Sequence, residues 1–134
     1  MEPRLDAIGI VTADMAASCR FYALLGVPVG EPPEGDDHFE ATLPSGVRLM
    51  WDSVELVKQI NADWQPPVGH RLGLAFHCGT AAGVDTTHAA VIAAGFGSKN
   101  DPWDAFWGQR YAQVIDPDDN LVDLFAPLDS PAPG

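Results

Sequence analysis

Residues 103–125 crowd together the side chains best able to do chemistry: the rings of Trp103, Phe106 and Trp107, the guanidinium of Arg110 and the carboxylate of Asp123. Aromatic faces bind flat or cationic molecules. A carboxylate can pair with a cation, take a proton or ligate a metal. Asp123 is the group that most needs a partner. If residues 121–125 are extended, Leu121, Asp123 and Phe125 share one face while Val122 and Leu124 share the other. The charge then sits between apolar neighbours, where it is costly to leave bare. Three partners are open. Arg110 on the facing strand would form a structural ion pair, a cationic ligand would make a binding site, and a substrate proton would make Asp123 a general base. For the last, no acid partner is visible.

Positioning these groups requires a hairpin. Residues 110–115 are rich in strand formers, Asp116-Pro117-Asp118-Asp119-Asn120 has the chemistry of a turn, and residues 121–125 resume a strand. The first half of the chain predicts a similar order. Residues 5–11 read as a strand, with Ala7, Gly9 and Val11 on one face. Asp14 is a good cap for a helix through Phe21, Leu24 and Leu25, which Gly26 would end. A short second strand is expected over residues 27–30, then an acidic loop containing Pro32 and Pro33. Residues 38–43 and 47–51 form a hairpin around Pro44-Ser45-Gly46, with Val47, Leu49 and Trp51 facing together. Ser53 caps a short helix. Residues 64–70 are a stiff, proline-bearing linker.

After the linker the pattern returns. Residues 71–78 read as a strand, Thr80 caps a helix ended by Gly95, residues 97–101 are a weak strand, and the hairpin around Asp116 follows. Ile8-Gly9-Ile10 aligns with Leu74-Ala75-Phe76, Leu25-Gly26 with Ala94-Gly95, and Leu43-Pro44 with Asp116-Pro117. Two long copies indicate internal duplication and not a solenoid, which needs three or more units. The expected organisation is one domain: module one 1–63, linker 64–70, module two 71–127 and tail 128–134.

The 134 residues, 46% hydrophobic and 19% charged, suit one globular domain with a core. No run approaches the roughly 18 apolar residues of a membrane span, and the N-terminus lacks a leader pattern, so a cytoplasmic protein is expected. Cys19 and Cys78 show no metal or redox spacing and read as free thiols. Nineteen acidic against seven basic residues give a net charge of −12, which disfavours nucleic acid and anionic membrane as partners. The same charge permits a cationic ligand without establishing one, since keeping a small protein soluble is sufficient reason for it.

The segments Val11-Thr12-Ala13-Asp14-Met15, Phe21-Tyr22-Ala23-Leu24-Leu25-Gly26, Trp107-Gly108-Gln109-Arg110-Tyr111 and residues 116–124 together resemble the vicinal oxygen chelate superfamily. That superfamily includes glyoxalase I, extradiol dioxygenases and bleomycin-resistance binding proteins. The resemblance implies an α+β fold of two βαβββ modules whose sheets curl around a cavity, in a homodimer. Metal-dependent members carry ligands, usually His or Glu, on the first and last strands of each module. By the alignment those positions hold Ala7, Leu49, Gly73 and Asp123, of which three have no donor side chain, whereas catalytic metal sites ordinarily use about three protein ligands. Among the histidines, His77 shares a face with Gly73 and Ala75. His38, His70 and His88 fall at a strand start, in the linker and in a helix, with Glu40 and Asp52 as more remote alternatives.

The expectation is therefore a protein with no metal and no cofactor that binds a small organic compound, cationic or aromatic, and possesses the ligand-binding residues Trp51, Trp103, Phe106, Trp107, Arg110, Asp123 and His77. Ala7, Gly9, Gly73 and Ala75 would leave room, and Leu49, Leu121 and Phe125 would add apolar walls or simply fill the core. The alternative implied by the resemblance is a metal-dependent lyase, isomerase or dioxygenase with atypical ligands.

Overall fold

The computed structural model describes residues 2–31 and 34–128; Pro32 and Pro33 of the acidic loop and residues 129–134 of the expected tail lie outside the described residues. The chain has an α+β fold of two compact units that part between Val68 and Gly69. Among the described residues, no helix is long and apolar enough to cross a membrane.

The first unit runs β1 (Ala7–Thr12), α1 (Met15–Leu24), β2 (His38–Thr42), β3 (Arg48–Ser53) and α2 (Val54–Ile60). Its three strands lie in the order β1-β3-β2, with β1 parallel and β2 antiparallel to β3. The expected caps start both helices. The Asp14 carboxylate accepts from the Ala17 amide at 3.0 Å, and the Ser53 hydroxyl accepts from Leu56 at 3.1 Å, satisfying amides that have no partner within the helix. Strand alternation gives this sheet one buried face, with Ile10, Thr12, Ala41, Leu49 and Trp51, on which α1 packs Ser18 and Tyr22. The strand expected over residues 27–30 does not form. Val27 and Val29 are buried, yet the Val27 amide is taken by the Tyr22 carbonyl at the end of α1, and Pro28 between them has no donor for a ladder.

The second unit runs β4 (Leu74–His77), α3 (Ala81–Ala93), β5 (Gly97–Ala105), β6 (Gln109–Ile115) and β7 (Leu121–Pro127), with its four strands in the order β4-β7-β6-β5. Thr80 caps α3 through the Gly83 amide at 3.0 Å. Strand β5 is longer than expected and runs through Pro102. It lies at the sheet edge and its register slips on both sides of Asn100, which is where a residue without an amide proton is tolerated. The Asp116 turn is held by its own side chain. Oδ1 accepts from the amides of Asp118 and Asn120, both at 2.9 Å, and Oδ2 accepts from the Asn120 side chain at 2.8 Å. Ala112, Val114, Val122, Leu124 and Ala126 are fully buried on the face that packs against α3, together with Val84 and Val91 of that helix. Each valine or leucine so buried contributes about 1.5–3 kcal/mol, which makes this face the core of the unit.

Candidate functional site: the open face of the second sheet

Because Val122 and Leu124 face α3, their neighbours Leu121, Asp123 and Phe125 must face the other way, and ladder partners on adjacent strands follow them. Gln113 lies opposite Asp123, Tyr111 opposite Phe125, Trp103 opposite Tyr111, Asn100 opposite Gln113, and on the far side Ala75 opposite Asp123 and His77 opposite Phe125. This face joins a polar row to an aromatic wall. Asn100 Nδ2 donates to Gln113 Oε1 at 2.6 Å, and Gln113 Nε2 donates to Asp123 Oδ1 at 2.9 Å. The Tyr111 hydroxyl also donates to Asp123. Burial first, and then this carboxylate, push the Tyr111 phenol well above its usual value of 10.

Three rings stand beside this row, Trp103 and Tyr111 in the next cross-strand row. Trp103, Trp107 and Tyr111 meet edge to face, with centroids 5.3 Å apart for Trp103 and Tyr111, 5.2 Å for Trp107 and Tyr111, and 6.1 Å for the two indoles. Trp107 sits in the tight turn between β5 and β6, and its indole N–H is held by Gln109 Oε1 at 2.8 Å. Phe106, in the same turn, is 97% exposed and touches Trp107 edge-on at 5.0 Å. At the β4 end of the aromatic row His77 stands edge-on to Phe125 at 5.0 Å, its Nδ1 accepting from the Gly79 amide at 2.9 Å. Trp103, Trp107, Phe106, Asp123 and His77 are thus all carried by the second unit, with Phe125 between His77 and Tyr111 in one cross-strand row and Asp123 in the row beside it.

Two expected site residues lie elsewhere. Arg110 does not pair with Asp123. Alternation on β6 turns it toward the α3 side, where it donates to Asp85 of α3 at 3.0 Å and to Asp104 of β5 at 3.1 Å, and these carboxylates push its guanidinium still further up. Trp51 is not on the open face of its sheet. It is fully buried beneath α1, donates its indole N–H to Ser18 Oγ at 3.0 Å, and stacks edge-on with Tyr22. Expecting Trp51 and Leu49 at a pocket put that strand's apolar residues on the wrong face. Both belong to the core side, and Arg48, Met50 and Asp52 project from the other. The residues missed by sequence reasoning are Gln113, Asn100 and Tyr111. A usable signal was present, because closing the turn at Ile115 and Leu121 places Gln113, and not Arg110, opposite Asp123.

The open face of the first sheet carries a different arrangement. His38 stands between two carboxylates, with Nδ1 to Asp52 at 2.5 Å and Nε2 to Glu40 at 2.7 Å. Arg48 bridges Glu40 at 2.6 Å and Asp6 at 2.7 Å. The hydrogen bonds to Asp52 and then Glu40 push the His38 imidazole above its usual value of 6.5, and His38 followed by Arg48 holds Glu40 below the usual carboxylate range. With both ring nitrogens engaged, His38 has no free lone pair to act as a base or ligand. A hollow of about 420 Å³ in the same unit is bordered by Asp14, Asp36, Asp37, Ser53 and Glu55. Asp14 is spent on capping α1, and Asp37 accepts from the Ser53 hydroxyl at 2.7 Å.

These donor sets do not fit the divalent ion that the sequence resemblance implies for metal-dependent members. Left-handed residues, Gly46 at φ 92° and Asp119 at φ 67°, mark the matching points of the two hairpins, and counting from them puts Met50, not Leu49, in the place of Asp123. Ala7 and Gly73 have no donor side chain and Met50 offers only a thioether, which leaves Asp123 as a single carboxylate where about three protein ligands are needed. Among the described residues, no group of three or more His, Cys, Asp or Glu side chains is arranged to hold a metal.

Residues 4–124 match the model of the Glyoxalase/Bleomycin resistance protein/Dioxygenase superfamily. Among solved structures, the chain is similar to a glyoxalase/bleomycin resistance protein/dioxygenase from Nocardioides, at 23% identity and a TM-score of 0.73 over 100% of this chain and 89% of that one. It is similar to a family enzyme from Burkholderia phytofirmans PsJN at 21% identity and a TM-score of 0.80, covering 94% of this chain and 100% of that one. A lactoylglutathione lyase from Agrobacterium tumefaciens shares 14% identity with a TM-score of 0.66 over 93% and 94% of the two chains. At these identities the likeness concerns the fold. A comparison with curated protein sequences gave no match.

Proposed function

The chain belongs to the Glyoxalase/Bleomycin resistance protein/Dioxygenase superfamily, and from that premise we propose that it binds a small aromatic, cationic organic molecule on the open face of its second sheet without the divalent ion of its metal-dependent relatives. The observation that carries this reading is the juxtaposition of Asp123, held by Gln113 and Tyr111, with the Trp103, Trp107 and Tyr111 wall. Apolar walls with a few fixed polar groups are the usual make-up of a small-molecule site. Each ring that meets a cation face-on adds about 0.5–2 kcal/mol. A carboxylate that retains unoccupied lone pairs supplies the counter-charge. The net charge of −12 favours the approach of cations over anions.

Titration with ethidium, a planar cation, and with a panel of similar cationic aromatic drugs tests the proposal. Binding quenches emission from Trp103 and Trp107, and ligand at a hundredfold excess over Kd stabilises the fold by about 2.7 kcal/mol. Trp107→Leu weakens binding at least tenfold while leaving the unfolding midpoint close to that of the parent, since the indole is largely outside the core. No quenching and no stabilisation across the panel would refute the reading. Stoichiometric Zn²⁺, Fe²⁺ or Mn²⁺ in the purified protein, removable by chelation with loss of stability, would favour a metal-dependent lyase, isomerase or dioxygenase instead.

A further inference from the structure

Resting on that reading of the site, we infer that Asn100 and Gln113 are positioning residues that make the site select for charge: they aim Asp123 so that it accepts only a ligand bringing a positive charge or an N–H group. The inference rests on the direction of the hydrogen bonds. An ionised carboxylate can only accept, so the group of Gln113 that meets Asp123 Oδ1 at 2.9 Å must be its NH₂. The carbonyl oxygen of Gln113 is thereby turned toward β5, where Asn100 Nδ2 donates to it at 2.6 Å. The bond from Asn100 reinforces the orientation that Asp123 already imposes on the amide of Gln113 and holds its plane in line with the carboxylate. In the reversed orientation its oxygen would confront the Asp123 carboxylate.

The row thus has one polarity, running from Asn100 through Gln113 to Asp123, with Tyr111 also donating to the carboxylate. Two donors fix the carboxylate about its terminal bond and occupy about two of its roughly four lone-pair sites, leaving the others to a ligand. A group that also carries lone pairs, such as a carbonyl or phosphate, meets repulsion there. A cation or an N–H does not. A simple strand-to-strand staple would need no carboxylate at its end and no aromatic wall beside it. Here the row ends on a half-buried charge beside Tyr111, whose ring meets Trp103.

The test compares two probes of nearly equal shape, the cation N-methylquinolinium and neutral quinoline at pH 8, by titration calorimetry on the full chain. The parent protein binds the cation about tenfold more tightly. Asn100→Leu and Gln113→Met each remove most of that preference by weakening the cation more than quinoline, and Asp123→Asn abolishes it. Unfolding midpoints of all variants are measured alongside, because a general loosening of the sheet weakens both probes together. Equal loss for both probes in Asn100→Leu and Gln113→Met would show a merely structural row and overturn the inference while leaving the binding site standing. A parent protein that binds both probes equally overturns it too. Binding of neither probe refutes the binding reading and this inference with it.

Discussion

Replacing Trp51 by Phe tests whether this indole belongs to the core of the first unit or to a ligand site. Trp51 has no exposed surface, lies edge-on to Tyr22 at 6.0 Å and beside Phe39 at 5.9 Å, and donates to Ser18 Oγ at 3.0 Å. Trp51→Phe removes part of a buried ring and leaves a space beneath α1, at a cost of about 2–3 kcal/mol. Ser18→Ala keeps the indole but strands its N–H in the core, costing about 1–3 kcal/mol, less the few tenths by which Ala favours a helix. In the double variant donor and acceptor disappear together, so its cost falls short of the sum of the two by about 1 kcal/mol. Urea unfolding followed by circular dichroism reads all three variants as shifts in midpoint at constant slope. Ethidium affinity is measured in parallel and stays within twofold of the parent. If Trp51→Phe cost less than about 0.5 kcal/mol and cut dye binding tenfold, Trp51 would be a ligand residue and its assignment to the core would be wrong.

Two further predictions concern titration. Because His38 is raised above 6.5 by Asp52 and Glu40, its ion pairs stabilise the folded chain fully below pH 6.5, and that contribution fades as pH rises through the higher folded value. The difference in stability between the parent and His38→Gln therefore shrinks from about pH 6 to pH 9, and a difference that grew with pH would contradict the assignment. Tyr111 stays protonated well past its usual value, with burial the larger cause and Asp123 the smaller. In ultraviolet difference titrations, with Tyr111→Phe identifying the signal, Asp123→Asn moves the ionisation only part of the way back toward 10. Complete return would mean that the carboxylate, not burial, dominates.

Local chemistry was legible without the fold. Asp14, Ser53 and Thr80 each cap a helix because a short oxygen-bearing side chain satisfies amides that the helix itself leaves free, a requirement complete within four residues. The Asp116 turn and the separation of Leu121, Asp123 and Phe125 from Val122 and Leu124 are equally local, since strand alternation is a property of the backbone. Alternation does not say which of two faces a helix will cover. For β7 the more apolar face went to α3, as its residues suggested, whereas on β3 the indole of Trp51 went under α1 and Met50 went to the open side. Pairings across strands needed the register as well, because a slip of one residue reverses every contact. That is why Arg110 found Asp85, 25 residues earlier on α3, and Asp123 found Gln113 instead. His38 met Asp52 only once β2 lay antiparallel to β3. The sequence by itself determined the elements, their caps and the grouping of aromatic rings at residues 103–111. Only the tertiary structure decided which of those side chains share a surface, since that depends on helix placement and strand register, which residues distant in the chain set together.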